Sequence, residues 1–308
     1  MVTADGVGFA DNRGIYSQEM SDAWKPSVAA VQQRRGTFFL QLWHRGRASH
    51  SAFLDGRLPV APSAIAIQGD GIHTPVGQRP DEVPRALRTE EIPEIVEQYR
   101  RGAQFAKAAG FDGVEIHAAN GRLIDQFLQS GTNQRTDQYG GTLRNRSRFL
   151  LEIPEAVSSV YPANRIGVRL SPNGVFNDMG SVDFREQFHQ TTLELNRAGL
   201  GYLHVIDGLA FGFHQRGEPV TLKETRSLFH STLIGNCGYT AETADAAIAC
   251  GDADLIAFGR PFISNPDLVD RFDHDAPLNP DAGMDVWYAP IGARGYTDFP
   301  TLNSASAG

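Results

Sequence analysis

The chain has 308 residues, 41% of them hydrophobic, which is enough to bury a large core and suits one α/β barrel domain spanning 1–308. Its formal charge of −8 offers no basic patch to a nucleic acid or an anionic membrane surface, and neither is expected as a partner. Two cysteines, Cys237 and Cys250, cannot make a disulfide framework, no Cys/His spacing suits a metal, and the opening MVTADGVGF lacks the basic and apolar regions of a secretion signal, so a cytoplasmic protein is expected.

Taken in chain order, residues 1–36 hold a loop and a helical stretch, SQEMSDAWKPSVAAVQQRRG, with Ser17 as its candidate N-cap. The first strand-like run follows at 37–44 (TFFLQLWH), rich in aromatic and branched residues. The stretch 49–84 is long for a loop between barrel elements and rich in Gly, Pro and Asp; AIAIQ at 64–68 is expected to form one arm of a hairpin lid. Thr89 is the expected N-cap of a helix over EEIPEIVEQYRRGAQFAKAA, whose apolar residues Ile92, Ile95, Tyr99, Ala103 and Phe105 fall near one face and which stops at Gly110. Further strands are predicted at 113–118 (GVEIHA), 165–171 (RIGVRLS), 202–207 (YLHVID), 232–236 (TLIGN) and 254–259 (DLIAFG), alternating with helices at RSRFLLEIPEAV, DFREQFHQTTLELNRAG and TAETADAAIACG. Strand and helix alternating in this way imply βα units around a parallel sheet. The count is six, two short of a (β/α)8 TIM barrel, and the shortage lies at the N-terminus. The end, 303–308, reads as disordered.

The second strand ends in His117-Ala118-Ala119-Asn120-Gly121, which puts an imidazole and a carboxamide three residues apart at the C-terminal mouth of a barrel strand, where barrel chemistry sits. Two such donors can hold a carbonyl or nitro oxygen and draw electron density from a conjugated alkene. A polar pair at a strand end also commonly serves only the local backbone. The run that follows, LIDQFLQSGTNQRTDQYGGTLRNRSRFLLE, separates the two readings. It resembles the signature of the old yellow enzyme family of flavin-dependent ene-reductases. The resemblance extends to GIYSQEM, LQLWHRGRASH, VRLSP, AFGRPFISNPDL and GYTDFP, covering nearly all of residues 5–301.

That resemblance implies an FMN lying across the barrel mouth and NADPH or NADH as reductant. It places Gln41 against the flavin pyrimidine edge and Arg169 near N1 and O2, where negative charge collects on reduction. Gly238, Gly259 and Arg260, at the ends of the last two strands, become a phosphate cradle. Cys237 stands where relatives commonly carry Gly and is read as a buried small residue. Trp43, Phe213, Trp287 and Tyr288 resemble aromatic positions of the substrate pocket, with Trp43 and Tyr288 the substrate-binding candidates.

Two features depart from the family. The family's proton donor is a Tyr two residues after the Asn, and Arg122 occupies that position here. A guanidinium with a pKa above about 12 holds its proton too tightly to be a good general acid near neutrality, so proton delivery falls to water, or the added charge favours anionic substrates. Second, the family's first two strands have no counterpart in this sequence, which leaves two open parallel edges; a gene model begun at an internal Met, a cloned fragment, or a natural short form that closes its gap by dimerising or by unusual packing would each account for this.

The leading expectation is thus an NAD(P)H-dependent FMN oxidoreductase of activated alkenes, a monomer or homodimer acting on a small molecule. The alternative is a truncated, flavin-poor relative acting as a non-enzymatic or interaction protein. A flavin-free barrel of the Schiff-base aldolase kind is disfavoured, because none of the six strands contains a lysine.

Overall fold

The structure, a computed structural model, describes residues 1–8, 13–287, 295–296 and 298–302; Tyr288 and the tail 303–308 lie outside the described residues. After helix α1 (Gln18–Gln33), whose cap Ser17 accepts the Met20 N–H, the chain enters strand β1 (Phe39–Leu42). The loop 49–84 and its continuation contain four short pieces. β2 (Val60–Ala61) pairs with β5 (Arg85–Ala86), and β3 (Ile72–Thr74) turns back on β4 (Gly77–Arg79) as an antiparallel hairpin. The hairpin therefore begins at Ile72, and the expected arm at 64–68 forms no strand. Arg47 instead holds the carbonyls of Ile65 and Ala66 at 3.1 and 3.4 Å, so this stretch follows a side chain and not a ladder.

The remaining strands, β6 (Gly113–Ala118), β7 (Ile166–Leu170), β8 (Tyr202–Ile206), β9 (Thr232–Asn236) and β10 (Leu255–Ala257), join β1 in one parallel six-stranded sheet of order β1-β6-β7-β8-β9-β10. All six expected strands form. The first and last are shorter than the sequence suggests; at their N-terminal ends side chains take over, Asp112 accepting the Phe38 N–H and Asp254 the Leu233 N–H. Between them run α2 (Ile92–Ala109), α3 (Leu123–Leu128), α4 (Leu143–Val157), α5 (Phe184–Arg197), α6 (Leu222–Leu228) and α7 (Ala241–Ala249), followed by the short α8 (Arg260–Ser264), α9 (Leu268–Asp273) and α10 (Met284–Trp287). Thr89 is not the cap of α2. Arg88 precedes the turn that opens this helix, and the Thr89 hydroxyl is committed to Asp137 at 2.5 Å. Gly110 does close α2, at φ +98°, a conformation that costs a glycine nothing.

Strand alternation sorts the residues into two sets. Val114, Ile116, Ala118, Ile166, Val168, Leu170, Leu203, Val205 and Leu233 are buried in the helix-facing core. The opposite set, which lines the inside of the sheet, contains Gln41, Glu115, His117, Arg169, His204 and Asn236; Glu115 bonds to Gln41 and His204, and Arg169 to Asn236, across the strands. Lower on this inner face, Phe39 and Tyr202 meet edge to face, 5.7 Å between ring centroids. They do so over glycines. A Cβ on Gly113 would lie 2.2 Å from the Phe39 ring, and one on Gly167 2.1 Å from the Tyr202 ring. Gly167→Ala is therefore expected to destabilise the protein by about 1–3 kcal/mol through overpacking, with partial recovery when Tyr202→Leu is added; thermal melting of the two variants checks this.

Among the described residues β1 and β10 each have one sheet neighbour. Beside β1, the Val2 N–H donates to the Trp43 carbonyl at 3.2 Å. A cavity of about 300 Å³ lies between the strand and residues 13–15, lined by Met1, Ile15, Trp24, Phe38 and Gln41 among others.

Candidate active site

The site grows out of the C-terminal end of β6. In parallel register His117 sits beside Arg169 of β7, which sits beside His204 of β8. The His117 ring is buried, and its Nδ1 accepts the Ala119 N–H at 3.2 Å, so the proton of the neutral ring is on Nε2. Burial holds its pKa well below the ordinary value, and the charges of Arg122, Arg169, His204 and Arg45 push the same way. At neutral pH His117 is thus a neutral Nε2–H donor.

Asn120 and Gly121 follow with φ of +55° and +66°, and the Arg122 N–H returns to the Ala119 carbonyl at 3.1 Å, which is a type I′ turn. Asn-Gly is the dipeptide this turn prefers, and here space also demands the glycine, since a Cβ on Gly121 would lie 2.6 Å from the Asn177 Cβ. The turn is held from both sides: the Asn120 N–H donates to Ser171 Oγ at 2.8 Å, and its carbonyl accepts from Asn177 Nδ2 at 2.8 Å. Asn120 therefore has a structural job in its backbone, which leaves its carboxamide for the site. Arg122 leads into α3, and its guanidinium carbon lies 5.0 Å from the centre of the Trp43 ring, with that of Arg45 at 6.0 Å from the same ring.

Arg169 donates to Asn236 Oδ1 at 2.8 Å, tying β7 to β9. Gln41 has its Nε2 2.5 Å from Glu115 Oε1, while Glu115 Oε2 lies 2.9 Å from His204 Nδ1. The residues assigned to the phosphate end follow the paired ends of β9 and β10: the register sets Asn236 beside Ala257, each two residues before Gly238 and Gly259. Cys237 and Gly238 both take positive φ, +90° and +86°, and nothing lies within 4 Å of where a Cβ on Gly259 would be. Arg260, the first residue of α8, is sandwiched between Phe211 and Trp287, 3.3 and 4.3 Å from the ring centres. Two rings this close hold the guanidinium in place by cation–π contact. Burial pushes the half-buried Cys237 thiol up in pKa, which suits an inert side chain. Phe213, read as a pocket aromatic, packs against Phe184 and His214 at the edge of the core.

A profile of the NADH:flavin oxidoreductase / NADH oxidase family matches residues 1–279. The chain belongs to this family. It is 41% identical over 332 residues to 12-oxophytodienoate reductase 7 of Oryza sativa subsp. japonica, covering 98% of this chain and 81% of the rice protein. Among solved structures, the old yellow enzyme homologue from Zymomonas mobilis superposes with a TM-score of 0.92 at 41% identity, over 98% of this chain and 84% of that one. Morphinone reductase in complex with tetrahydroNAD gives 0.90 at 40%, over 99% and 83%. These are α/β barrels of the old yellow enzyme type, and the family uses FMN with a nicotinamide as reductant. The donor set here suits that cofactor: an amide, a guanidinium and neutral N–H groups converge on the inner face, and Gly259 leaves open the space that any side chain would fill.

The motif that most clearly marks the family turns out to be scaffold. Asn133 Nδ2 donates to the Phe127 and Tyr139 carbonyls, both at 2.7 Å. Arg135 holds the carbonyls of Pro62 and Leu87 together with Asp137, and Arg146 holds those of Leu128 and Gly141. Asp125, fully buried, accepts from the Gly121 N–H and Gln129 Nε2, and burial raises its pKa to about 6. These residues pin the long loop and the β6 turn to the helices, so that the mouth has a defined shape. Sequence reasoning missed Glu115 and His204. Their signal was a charged and an ionisable residue on the inward positions of otherwise apolar strands, GVEIHA and YLHVI.

Proposed function

We propose that the protein is an FMN-dependent oxidoreductase that reduces activated alkenes, α,β-unsaturated carbonyl or nitro compounds, with NADH or NADPH. The observation that carries this reading is His117: a buried, neutral ring with its proton on Nε2, one strand away from Arg169 at the barrel mouth. The flavin supplies hydride transfer. The residues would do the rest: His117 and Asn120 would grip the substrate oxygen and stabilise the charge that grows there, Arg169 would offset charge on the ring, Gln41 would pair with its pyrimidine edge, and Gly238, Gly259 and Arg260 would hold the phosphate. Trp43 and, from the sequence, Tyr288 wall the pocket.

Arg122 shapes both rate and specificity. It cannot deliver a proton readily, so the α-carbon takes one from water, and activity is lower than a tyrosine would give. Arg45, Arg122 and Arg169 all act on His117 through their charge, which favours substrates carrying an acid group. A cytoplasmic setting and a monomer or homodimer belong to the same proposal. No described helix is long and apolar enough to cross a membrane. The test is a titration of purified protein with FMN, followed by oxidation of NADPH and NADH with an enone present. Arg260→Ala is expected to raise the FMN dissociation constant at least tenfold; unchanged retention would remove the cradle from the assignment. A protein that binds no FMN would favour the non-enzymatic alternative.

A further inference from the structure

Three side chains on three strands form a continuous chain inside the sheet. Gln41 of β1 donates through Nε2 to Glu115 of β6, and the other oxygen of Glu115 meets His204 Nδ1 of β8. Glu115 is 8% exposed, so its carboxylate has little water to help it. Burial alone would push this carboxyl up; the His204 hydrogen bond and charge, the Gln41 amide and the charge of Arg169 outweigh burial and leave it below the usual range. It is therefore ionised and can only accept. His204 Nδ1 must donate to it, and His204 Nε2 is buried without a hydrogen-bond partner, so the ring's one such contact is spent on holding this carboxylate.

The consequence falls on Gln41. A carboxamide is nearly symmetric in shape, and either end can face a neighbour unless the neighbour discriminates. An acceptor-only partner at 2.5 Å does so: Nε2 turns toward Glu115, and Oε1 turns to the opposite side.

We propose that Glu115, steadied by His204, is a positioning residue that fixes the Gln41 amide with its oxygen presented as the acceptor for an imide-type ring N–H, that of the flavin pyrimidine. The proposal rests on the flavin reading above, and it assigns a role to two residues outside the set that touches the cofactor. In Glu115→Gln the side chain has one oxygen for the donors that share the carboxylate, Gln41, His204 and the Tyr202 hydroxyl. Once His204 claims it, an NH2 group faces Gln41 and turns the Gln41 amide over.

A double-mutant cycle tests this, with FMN dissociation constants read from flavin fluorescence quenching on apoprotein: wild type, Glu115→Gln, Gln41→Ala and the double variant. Glu115→Gln alone is expected to weaken FMN at least tenfold, and to change it less than twofold when Gln41 is already alanine. A second pair guards against a variant that fails to fold. His204→Leu should weaken FMN through the same route, while His204→Gln, which can still donate to Glu115, should stay within threefold of wild type. Equal losses with and without Gln41, or no loss in either Glu115→Gln or His204→Leu, would overturn the positioning role while leaving FMN binding by the wild type intact. A wild type that binds no FMN would sink the functional reading and this role with it.

Discussion

Arg122→Tyr is expected to accelerate oxidation of the reduced flavin by an enone by about 10²-fold, the lower range of what a placed general acid contributes. The guanidinium now lies over Trp43, 5.0 Å from the ring centre, at the first turn after the donor pair. A guanidinium holds its proton too tightly to give it up readily near neutrality, so on the proposed reading water serves. A phenol there has a pKa near 10 and can give its proton to the α-carbon as hydride arrives at the β-carbon. Reduction of the flavin by NAD(P)H involves no such proton and should change little, and binding of a phenol to the His117 and Asn120 donors should be nearly unaltered. His117→Ala, in contrast, should abolish the long-wavelength band that phenols give when stacked on oxidised flavin. Rapid mixing of each half-reaction separates these outcomes. An Arg122→Tyr variant with no faster enone step would mean that water already suffices or that the side chain does not reach the reacting carbon.

The largest stability loss is expected at Arg47, one of the most deeply buried large side chains described. Its guanidinium donates to four backbone carbonyls, Ile65 at 3.1 Å, Ala66 at 3.4 Å, Asn177 at 3.0 Å and Asp178 at 3.0 Å. It thereby joins the long loop to the segment after β7. Burial lowers its pKa, with Asp178, Asp125 and Asp81 opposing through their charge, and no shift of this kind discharges a guanidinium near neutrality. Arg47→Ala leaves those carbonyls without a donor. Hydrogen bonds to a charged group contribute about 1.5–3 kcal/mol each, and water entering the vacated space returns part of that, so the net loss is put at about 3 kcal/mol. The melting temperature should fall by roughly 6 °C or more, and limited proteolysis should cut within 49–84 sooner than in the wild type. Arg47→Lys should recover little, because an ammonium cannot span two pairs of carbonyls. A variant that melts like the wild type would show that the loop is held by other contacts, Arg135 foremost.

Much of this protein could be read from its sequence because the relevant physics is local. The six strands, the Ser17 cap and the Gly110 stop all follow from spacing within a few residues, where alternation, helical period and positive φ leave their mark on residue type. The family signature was legible for the same reason, being one continuous run. The failures are of two kinds. Thr89 and the 64–68 stretch were misassigned because a distant side chain, Asp137 in one case and Arg47 in the other, outbid the local preference. Gln41 was singled out from the sequence, but its partner was invisible: Glu115 lies 74 positions away, and only the parallel pairing of β1 with β6 brings the two into register. Arg47 reaches across 130 positions to Asn177 in the same way. Sequence by itself determined the elements, the family and the strand ends that carry His117, Asn120, Arg122 and Arg169. Tertiary structure alone decided which buried charges meet, because a carboxylate or guanidinium taken out of water needs partners, and those partners are chosen by how the sheet is ordered and not by who is near in the chain.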